Sequence, residues 1–483
     1  MSKKPSAGDN ATNRFSDRDR RFGYLIALTV VICLIAWLMR PPHEPSIQTA
    51  ATQHPSPQDS TESPNGVGNN RLLIHGNKEG PALTAQEIVA AKLVRFSRSR
   101  RDLAVALSRR HGVTISGDIE KFFTAVESGN WTDITNAFSK INGGDSSAGH
   151  SEGRSPVTEH LWPAIIDAFG AAEQVHEWPA QQLLDYGNSI LASLRPGMIY
   201  VGGSDSGRWI PELLNDTNDE ERHIVITQNG LADNTYLDYL QLQYGDQIKT
   251  LGNDDSTKAF NDYVGDAQRR LEHDQQFPDE PKQIRPGEDV RMEDGKIQVG
   301  GHVAVMTINE ALLKAFMDKN PDIPIAIQQS FPLRGTYSDA LPIGGLMELR
   351  AQDGEKSFTA ERANESVDYW RNMAQQVSSD PEAKNSPETM KSYAHDANSA
   401  SDLLAAHHFT KEAEEGYRIA TQLWPGNPEA TSNLANLLAQ NGRNDEAQQV
   451  LRNFTAKYPG ELREWEKAGG STFLIGSPAK TSP

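Results

Sequence analysis

The sequence predicts an α/β domain with a parallel sheet, followed by C-terminal helical hairpins and preceded by a transmembrane helix. Three observations predict this fold class. Residues 22–39 form an uncharged apolar run, and short apolar runs alternate with amphipathic ones between about 161 and 350. Near the C-terminus, small and aromatic residues recur 34 positions apart. A chain of 483 residues is long enough for several separate cores.

The composition excludes several classes of function. A net charge of −18 argues against sequence-independent binding of nucleic acid, which needs clustered lysine and arginine. The single cysteine, Cys33, lies in the apolar run, so neither a disulfide framework nor a cysteine-based zinc site is available. His407 and His408 are adjacent, and adjacent helical residues face different directions. We therefore predict no cofactor, no metal site and no nucleic-acid partner.

The apolar run is predicted to be an uncleaved membrane anchor. Its eighteen residues, 22–39, would span most of a hydrocarbon core of about 30 Å. The preceding tail, residues 1–21, carries six basic residues, whereas only Arg40 follows the run before Arg71. The positive-inside rule then puts the N-terminus in the cytoplasm and the soluble body outside the inner membrane, in a periplasm. A buried core helix and a cleaved signal peptide are the alternatives, but no small-residue cleavage site follows the run.

The next two segments differ sharply in composition. Residues 40–78 are rich in proline, serine and threonine, which predicts a disordered linker. Residues 79–142 show apolar residues at helical spacing and form a predicted small helical region, and a second linker, 143–160, separates this region from the next segment. The helical region 79–142 contains a basic stretch that includes Arg98 and Arg100. We predict that this stretch is a solvated helix face, and contact with lipid head groups or a glycan is the alternative.

Residues 161–355 are predicted to form the α/β domain. Strand candidates at 198–201, 223–227, 325–327 and 346–349 alternate with helical segments. Because alternating strands and helices indicate βαβ units, we expect a mostly parallel, Rossmann-like sheet.

A glycine-rich loop directly after the first strand is a candidate ligand site. Ligands of open α/β sheets bind at the carboxyl ends of strands. Its glycines, among them Gly203, would let the backbone approach a ligand, and Ser204 is a further member of the candidate site. Asp205 would bind a hydroxyl, a metal or a proton, and Arg208 would clamp phosphate or carboxylate. In the alternative, Gly203 and Gly207 supply positive φ for a turn, Asp205 caps the helix and Arg208 forms a surface ion pair.

A second polar loop follows the next strand and is expected to rim the same crevice. It contributes Asn229, Asp233 and Asn234 to the candidate site, although Asp233 and Asn234 are also typical helix caps. The chain carries no GxSxG elbow, no HExxH motif and no catalytic cysteine. We therefore expect a binding protein rather than an enzyme. If the chain is an enzyme, the sequence does not identify its catalytic residues.

The strongest motif is a repeat with a period of 34 residues within the predicted helical region 356–462, ahead of a flexible tail, 463–483. Positions 413 and 447, and positions 425 and 459, are each 34 apart. The predicted repeat core consists of Ala413, Tyr417, Ala420, Pro425, Ala447, Leu451, Phe454 and Pro459. Small residues let two helices approach, and the prolines end the second helix of each unit. Two unrelated hairpins are the alternative.

These positions resemble tetratricopeptide repeats over about residues 390 to 460, which implies that a concave groove binds peptides or partner proteins. The sequence departs from the usual pattern in lacking the motif tryptophan. Segments 195–214, 223–240 and 323–333 resemble uncharacterised tetratricopeptide membrane proteins of the Planctomycetes and Verrucomicrobia type. More distantly, they are similar to the soluble C-terminal domain of a bacterial multi-pass family that is glycosyltransferase-like. A single membrane segment does not match that family, so transferase activity is not carried over.

The leading hypothesis is a membrane-anchored, extracytoplasmic binding or assembly protein whose repeats dock a protein or peptide partner. The bilayer is the second expected partner, through residues 22–39, and a sugar or phosphate ligand in the α/β crevice is the third. The alternative function is that of an envelope glycan-related enzyme, or an inactive glycosyltransferase-like relative, which uses the crevice.

Overall fold

The structure is a computed structural model, and it describes most of the chain beyond residue 82. The described residues are 83–142, 155–203, 205–219, 222–285, 287–293, 295–328, 338–349, 358–461, 463 and 465. The predicted basic tail, membrane anchor and first linker lie outside them, as do Ser204 and the predicted domain boundary at 355. None of the helices in the described ranges is long and apolar enough to cross a membrane.

The N-terminal part is helical. It contains α1 (Ala85–His111), α2 (Gly117–Ser128), α3 (Trp131–Ile141), α4 (Pro156–Glu177) and α5 (Ala180–Ala192). A capping box starts α1, in which Thr84 accepts from the Glu87 backbone N–H and the Glu87 carboxylate accepts from that of Thr84. The core continues from α3 into α4, because Phe138 stacks on Phe169 with ring centroids 3.8 Å apart.

The central part contains a five-stranded sheet and its helices. In chain order these are β1 (Ile199–Gly202), α6 (Ser206–Asp216), β2 (Ile224–Thr227), α7 (Asn234–Tyr244), α8 (Asn253–Gln276), β3 (Asp289–Glu293), β4 (Lys296–Gly300), α9 (His302–Lys319), β5 (Ile325–Ile327), β6 (Leu341–Ile343) and β7 (Leu346–Leu349). The four predicted strand segments are strands, each within one residue of its expected bounds. The β3–β4 ribbon was missed, although the Asp294-Gly295 dipeptide is a hairpin signal.

The sheet is mixed, which corrects the expectation of a mostly parallel one. Its strand order is β2-β1-β5-β7-β6; β2, β1 and β5 are parallel, whereas β7 is antiparallel to both β5 and β6. The reason is the connection, since β7 follows β6 after only Gly344 and Gly345, and Gly344 has φ +55°. A two-residue turn reverses the chain, while a parallel strand needs a long crossover.

The C-terminal part is a layer of helices that leans on the sheet. It consists of α10 (Ala360–Ser379), the short α11 (Pro381–Lys384), α12 (Pro387–Ala406), α13 (Thr410–Leu423), α14 (Pro428–Gln440) and α15 (Asn444–Lys457). Helices α12 and α13 form one antiparallel hairpin and α14 and α15 the next. Helix α10 packs on α13, and α12 also contacts β6 and β7. The first hairpin thus packs against α10 as well as against the sheet. Most of the residues that the structure describes are helical.

Candidate functional site

The loop after β1 ends in a helix cap. Asp205 is the N-cap of α6, where its carboxylate accepts from the Gly207 N–H at 3.0 Å. Gly203 is buried, and Ser204 lies outside the described residues. Gly207 is the second residue of α6 and does not have a positive φ, so that part of the alternative is wrong. Whether this loop binds a ligand stays a prediction.

Gly207 is required for a close approach rather than for a turn. A Cβ atom at Gly207 would lie 1.6 Å from Oε1 of Gln328, the residue that follows β5. The Tyr200 hydroxyl donates to the Gly207 carbonyl and, at 3.0 Å, to the same Oε1 atom. The absence of a side chain at Gly207 therefore lets Gln328 enter the space between β1 and α6.

Arg208 is buried, and it forms ion pairs with two carboxylates of the chain. Its guanidinium donates to Asp167 of α4, and its Nε lies 3.1 Å from Oε2 of Glu212, one turn further along α6. The surface ion pair considered as the alternative is thus a buried one. The prediction that Arg208 clamps an external anion stays untested.

Arg208 belongs to a larger buried charge network that sequence reasoning missed. Arg100 of α1 has no exposed surface, and its Nη2 atom donates to Glu212 at 2.8 Å and to Asp216 at 2.6 Å. Its guanidinium lies over the Phe96 ring, 3.9 Å from the centroid. The expectation of a solvated basic face is therefore wrong for Arg100. A fully buried arginine was not expected because its carboxylate partners are 112 and 116 residues away in sequence.

The buried charge network joins four helices. Asp167 of α4 accepts from the Tyr239 hydroxyl of α7 at 2.7 Å, besides its ion pairs with Arg100 and Arg208. Burial raises the pKa of Glu212 to about 8, although the positive charge of Arg208 acts in the opposite direction. Three carboxylates thus share two guanidinium groups away from water. This arrangement fixes α1, α4, α6 and α7 relative to one another.

The second predicted loop also consists of a turn and a helix cap. Asn229 lies in the 3₁₀ turn Gln228–Gly230, and its side-chain carbonyl accepts from Asn309 of α9 at 3.3 Å. Asp233 is the N-cap of α7 and accepts from the Thr235 backbone N–H at 2.8 Å. Asn234, the first residue of α7, is exposed. Binding of a sugar or phosphate by these residues stays a prediction.

A second buried polar network lies at the carboxyl edge of the sheet. The Gln328 amide nitrogen donates to Oδ1 of Asp396 at 2.6 Å and to the Tyr186 hydroxyl oxygen at 2.7 Å. The Tyr186 hydroxyl in turn donates to Oδ2 of Asp396 at 2.9 Å. Burial raises the pKa of Asp396 to about 7, against the lowering influence of the neighbouring His395. No local signal marks this network, because Asp396 lies on α12, 68 residues from Gln328.

Helix α12 therefore covers the edge at which ligands of open α/β sheets bind. The Ser206 hydroxyl, at the start of α6, lies 2.8 Å from the Ser392 hydroxyl on α12. A further contact, from Gln182 of α5 to Asp380 ahead of α11, is 3.0 Å long. Helix α12, the first helix of the first hairpin, is thus in direct contact with the first turn of α6. That turn directly follows the predicted ligand loop.

The predicted repeat core is largely buried. Ala413, Tyr417, Ala420, Ala447 and Phe454 are buried and Leu451 is half-buried. Pro425 and Pro459 are exposed, each two residues beyond the last residue of α13 or α15. Gly416 of α13 packs on Ser401 of α12, since a Cβ atom at Gly416 would lie 2.2 Å from the Ser401 hydroxyl oxygen.

The faces of α12 and α14 that meet between the two hairpins carry polar residues; we call this surface the first-helix face. The Asn433 amide of α14 donates to Asn398 Oδ1 at 3.2 Å and to Asp402 Oδ1 at 3.0 Å. Asp402 also accepts from the Tyr417 hydroxyl at 2.6 Å. Asn433 and Asn436 are half-buried, so both are partly accessible from solvent.

Comparison with known proteins supports one of the sequence resemblances. The family described as tetratricopeptide repeat matches residues 403–468. No curated protein and no solved structure matches the chain. The comparisons therefore show neither the lineage-specific membrane family nor the glycosyltransferase-like domain. Among the residues that the structure describes, no group of three or more His, Cys, Asp or Glu side chains is arranged to hold a metal ion.

Proposed function

We propose that this chain is a membrane-anchored, extracytoplasmic assembly protein that docks a protein partner through its tetratricopeptide repeats. The observation that carries the proposal is the repeat itself. A family match over residues 403–468 covers the end of α12 and all of α13, α14 and α15, whose small and aromatic residues are buried at the expected spacing. Repeats of this kind commonly bind protein partners on the surface that their stacked helices form.

The packing of the repeats supports a docking role. Two repeat units are fewer than the roughly three needed for an independent solenoid. Here the missing neighbours are replaced by α10, which packs on α13, and by the sheet, which packs on α12. These neighbours hold the first-helix face in place. A partner would therefore bind a surface that is already ordered, and binding would not include the entropic cost of ordering that surface.

The anchored, extracytoplasmic location rests on the sequence of the N-terminal segment. A fusion of a periplasmic reporter enzyme, such as alkaline phosphatase, after residue 483 tests it in a Gram-negative host. We expect reporter activity in the membrane fraction, and its loss from that fraction when residues 1–40 are deleted. Activity that is released in soluble form from the intact chain would contradict an uncleaved anchor, and an inactive reporter would contradict the orientation.

Photo-crosslinking tests the docking role directly. A crosslinking amino acid placed at Asn436, on the first-helix face, is expected to capture a discrete partner in intact cells. The matched control position is Asp445, which is exposed on α15 in the same repeat unit. Capture of the same proteins from both positions, or of none from Asn436, would refute docking on this face.

A further inference from the structure

The β3–β4 ribbon is a separate two-stranded sheet, and main-chain groups along its edges are unpaired. Glu293 pairs with Lys296 beside the turn, and from there hydrogen-bonded pairs alternate with non-hydrogen-bonded ones. Every second residue therefore directs its N–H and C=O groups away from the partner strand, and on β4 these residues are Ile297 and Val299. Within the described ranges, no main-chain hydrogen bond joins either of them to a residue outside the ribbon.

The tip of the ribbon also leaves apolar surface uncovered. Residues that pair directly share a face, so Met292 and Ile297 lie side by side. Val290 and Val299, on the same face but nearer the body, pack against the hydrophobic core, whereas Ile297 does not pack on the core of the described residues, and Met292 is 50% exposed. An isolated two-stranded ribbon is only marginally stable. Additional strands would therefore stabilise it.

The residues on the opposite face distinguish the two edges of the ribbon. Arg291 lies at the centre of β3, directly opposite Gln298 at the centre of β4. If two copies of β3 paired about a two-fold axis, Arg291 would face Arg291 of the second copy, and like charges directly opposite destabilise a sheet. Two copies of β4 would instead oppose two neutral Gln298 amides. Charge thus blocks self-pairing at the β3 edge and permits it at the β4 edge.

We propose that the β4 edge pairs with the β4 edge of a second copy of this chain, antiparallel and about a two-fold axis at Gln298. Ile297 of each copy then lies opposite Val299 of the other, and each such pair exchanges both main-chain hydrogen bonds through groups that point outward in the single chain. The two ribbons become one continuous sheet with its apolar residues on one face. This self-association is independent of the proposed docking role.

The expected contact is small. Each strand contributes five residues, Lys296–Gly300, so the buried area falls below the roughly 1,000 Å² that stable interfaces exceed. The association should therefore be weak and reversible, and covalent capture detects it better than a measurement of size does. Gln298 and Lys296 are exposed, so the edge is accessible for such capture.

Disulfide capture tests the register. Cys33 is the only cysteine, so variants of the full-length chain are made in the Cys33→Ser background and oxidised with copper–phenanthroline in mild detergent. In the proposed sheet the two copies of residue 298 form a non-hydrogen-bonded pair with Cα atoms about 4.5 Å apart, a separation that a disulfide spans. Gln298→Cys should therefore give a disulfide-linked dimer on a non-reducing gel.

The matched control is Arg291→Cys. The Arg291 side chain is 64% exposed and lies on the same face of the ribbon as Gln298, so a cysteine there is equally open to the oxidant. In the proposed sheet it lies roughly three strand spacings, about 14 Å, from its copy. It should therefore remain monomeric. Equal capture at both positions would indicate random collision and refute the β4 pairing.

Charge variants test the same contact without a covalent bond. Two differently tagged copies of the chain are co-expressed, and one is recovered through the tag of the other. Gln298→Lys in both copies, or Gln298→Glu in both, opposes like charges and should weaken the association about fivefold. Lysine in one copy and glutamate in the other should restore it. Failure of the mixed pair to recover would contradict direct opposition at residue 298.

Two further results would overturn the proposal. Capture from Ile297→Cys without capture from Gln298→Cys would place the two-fold axis at another residue and refute the proposed register. If wild-type copies co-purify but Gln298→Cys gives no dimer, the copies associate elsewhere in the chain, and the β4 edge is not the contact.

Discussion

The contact between Gly207 and Gln328 gives the sharpest prediction, through the substitution Gly207→Ala. The new methyl group would lie 1.6 Å from Gln328 Oε1 and 2.3 Å from its Cδ, so the glutamine side chain has to leave its position. The obstacle is a side chain, and the backbone does not need to move. The cost is therefore set by the three hydrogen bonds that tie Gln328 to Tyr186, Tyr200 and Asp396.

The magnitude follows from these bonds. Above pH 7, where the Asp396 carboxyl is ionised, each of the two neutral hydrogen bonds contributes about 1 kcal/mol and the bond to Asp396 about 2 kcal/mol, which gives a loss of roughly 4 kcal/mol. Alanine is favoured over glycine inside a helix by about 1 kcal/mol, which offsets part of the loss. The net destabilisation should be about 3 kcal/mol, equivalent to a fall of roughly 6–12 °C in the thermal midpoint of a unit of 150–250 residues.

Thermal unfolding followed by circular dichroism measures this effect, and a double-mutant cycle identifies its source. In the background of Gln328→Ala, the space beside Gly207 is empty, so Gly207→Ala should be neutral or slightly stabilising. Equal destabilisation by Gly207→Ala in both backgrounds would refute the reasoning, since the cost could not then come from Gln328. A wild-type midpoint for the single variant would refute the contact itself.

Three other predictions test the buried networks and the repeat core. Because burial raises the pKa of Asp396 to about 7, the native state binds this proton more tightly than the unfolded chain. The contribution of Asp396 to the free energy of unfolding should thus fall as pH rises from about 4 to about 7. Asp396→Asn should flatten the dependence of the thermal midpoint on pH in this range. An unchanged slope would contradict a raised pKa of Asp396. Arg100→Met removes the cation that pairs with the largely buried Asp216 and leaves Glu212 and Asp167 with Arg208 alone, so it should cost about 3–5 kcal/mol in urea unfolding. Arg98→Met, with a side chain 66% exposed, should cost under about 0.5 kcal/mol, and equal losses would count against the network. Ala447→Leu should overpack α14 against α15 at a cost of about 1–3 kcal/mol and speed hydrogen exchange there, while the exposed Ala456→Leu should not; normal exchange in both would show that the repeat core is loose.

The elements of the fold were predictable because their signals are local. Apolar runs and helix caps gave strands and helices close to their observed bounds, as at β5 and α7. Strand direction is not local, since it depends on which strand is the neighbour. The sheet was predicted to be mostly parallel, but it is mixed because the two-residue turn at Gly344 and Gly345 makes β6 and β7 antiparallel.

The candidate site was predictable only in its position along the chain. The sequence placed Asp205 and Asp233 correctly between a strand and a helix, where each caps the next helix. It could not show that Asp396 meets Gln328 or that Arg100 meets Glu212, because these partners are far apart in sequence. Buried pairs of this kind are specified by tertiary packing, and a solvated surface remains the reasonable expectation for an isolated arginine on a helix.

Helix α12, which completes both the sheet edge and the first hairpin, also fixes the order in which the chain can finish folding during synthesis. Asp396 is made 68 residues after Gln328, a delay of roughly 3–14 s at typical elongation rates. Throughout this interval Gln328 and Tyr186 lack the carboxylate that accepts a hydrogen bond from each of them. The carboxyl edge of the sheet thus becomes buried only after α12 has emerged from the ribosome. A ribosome that pauses within residues 387–406 would prolong the life of an intermediate in which this edge is exposed.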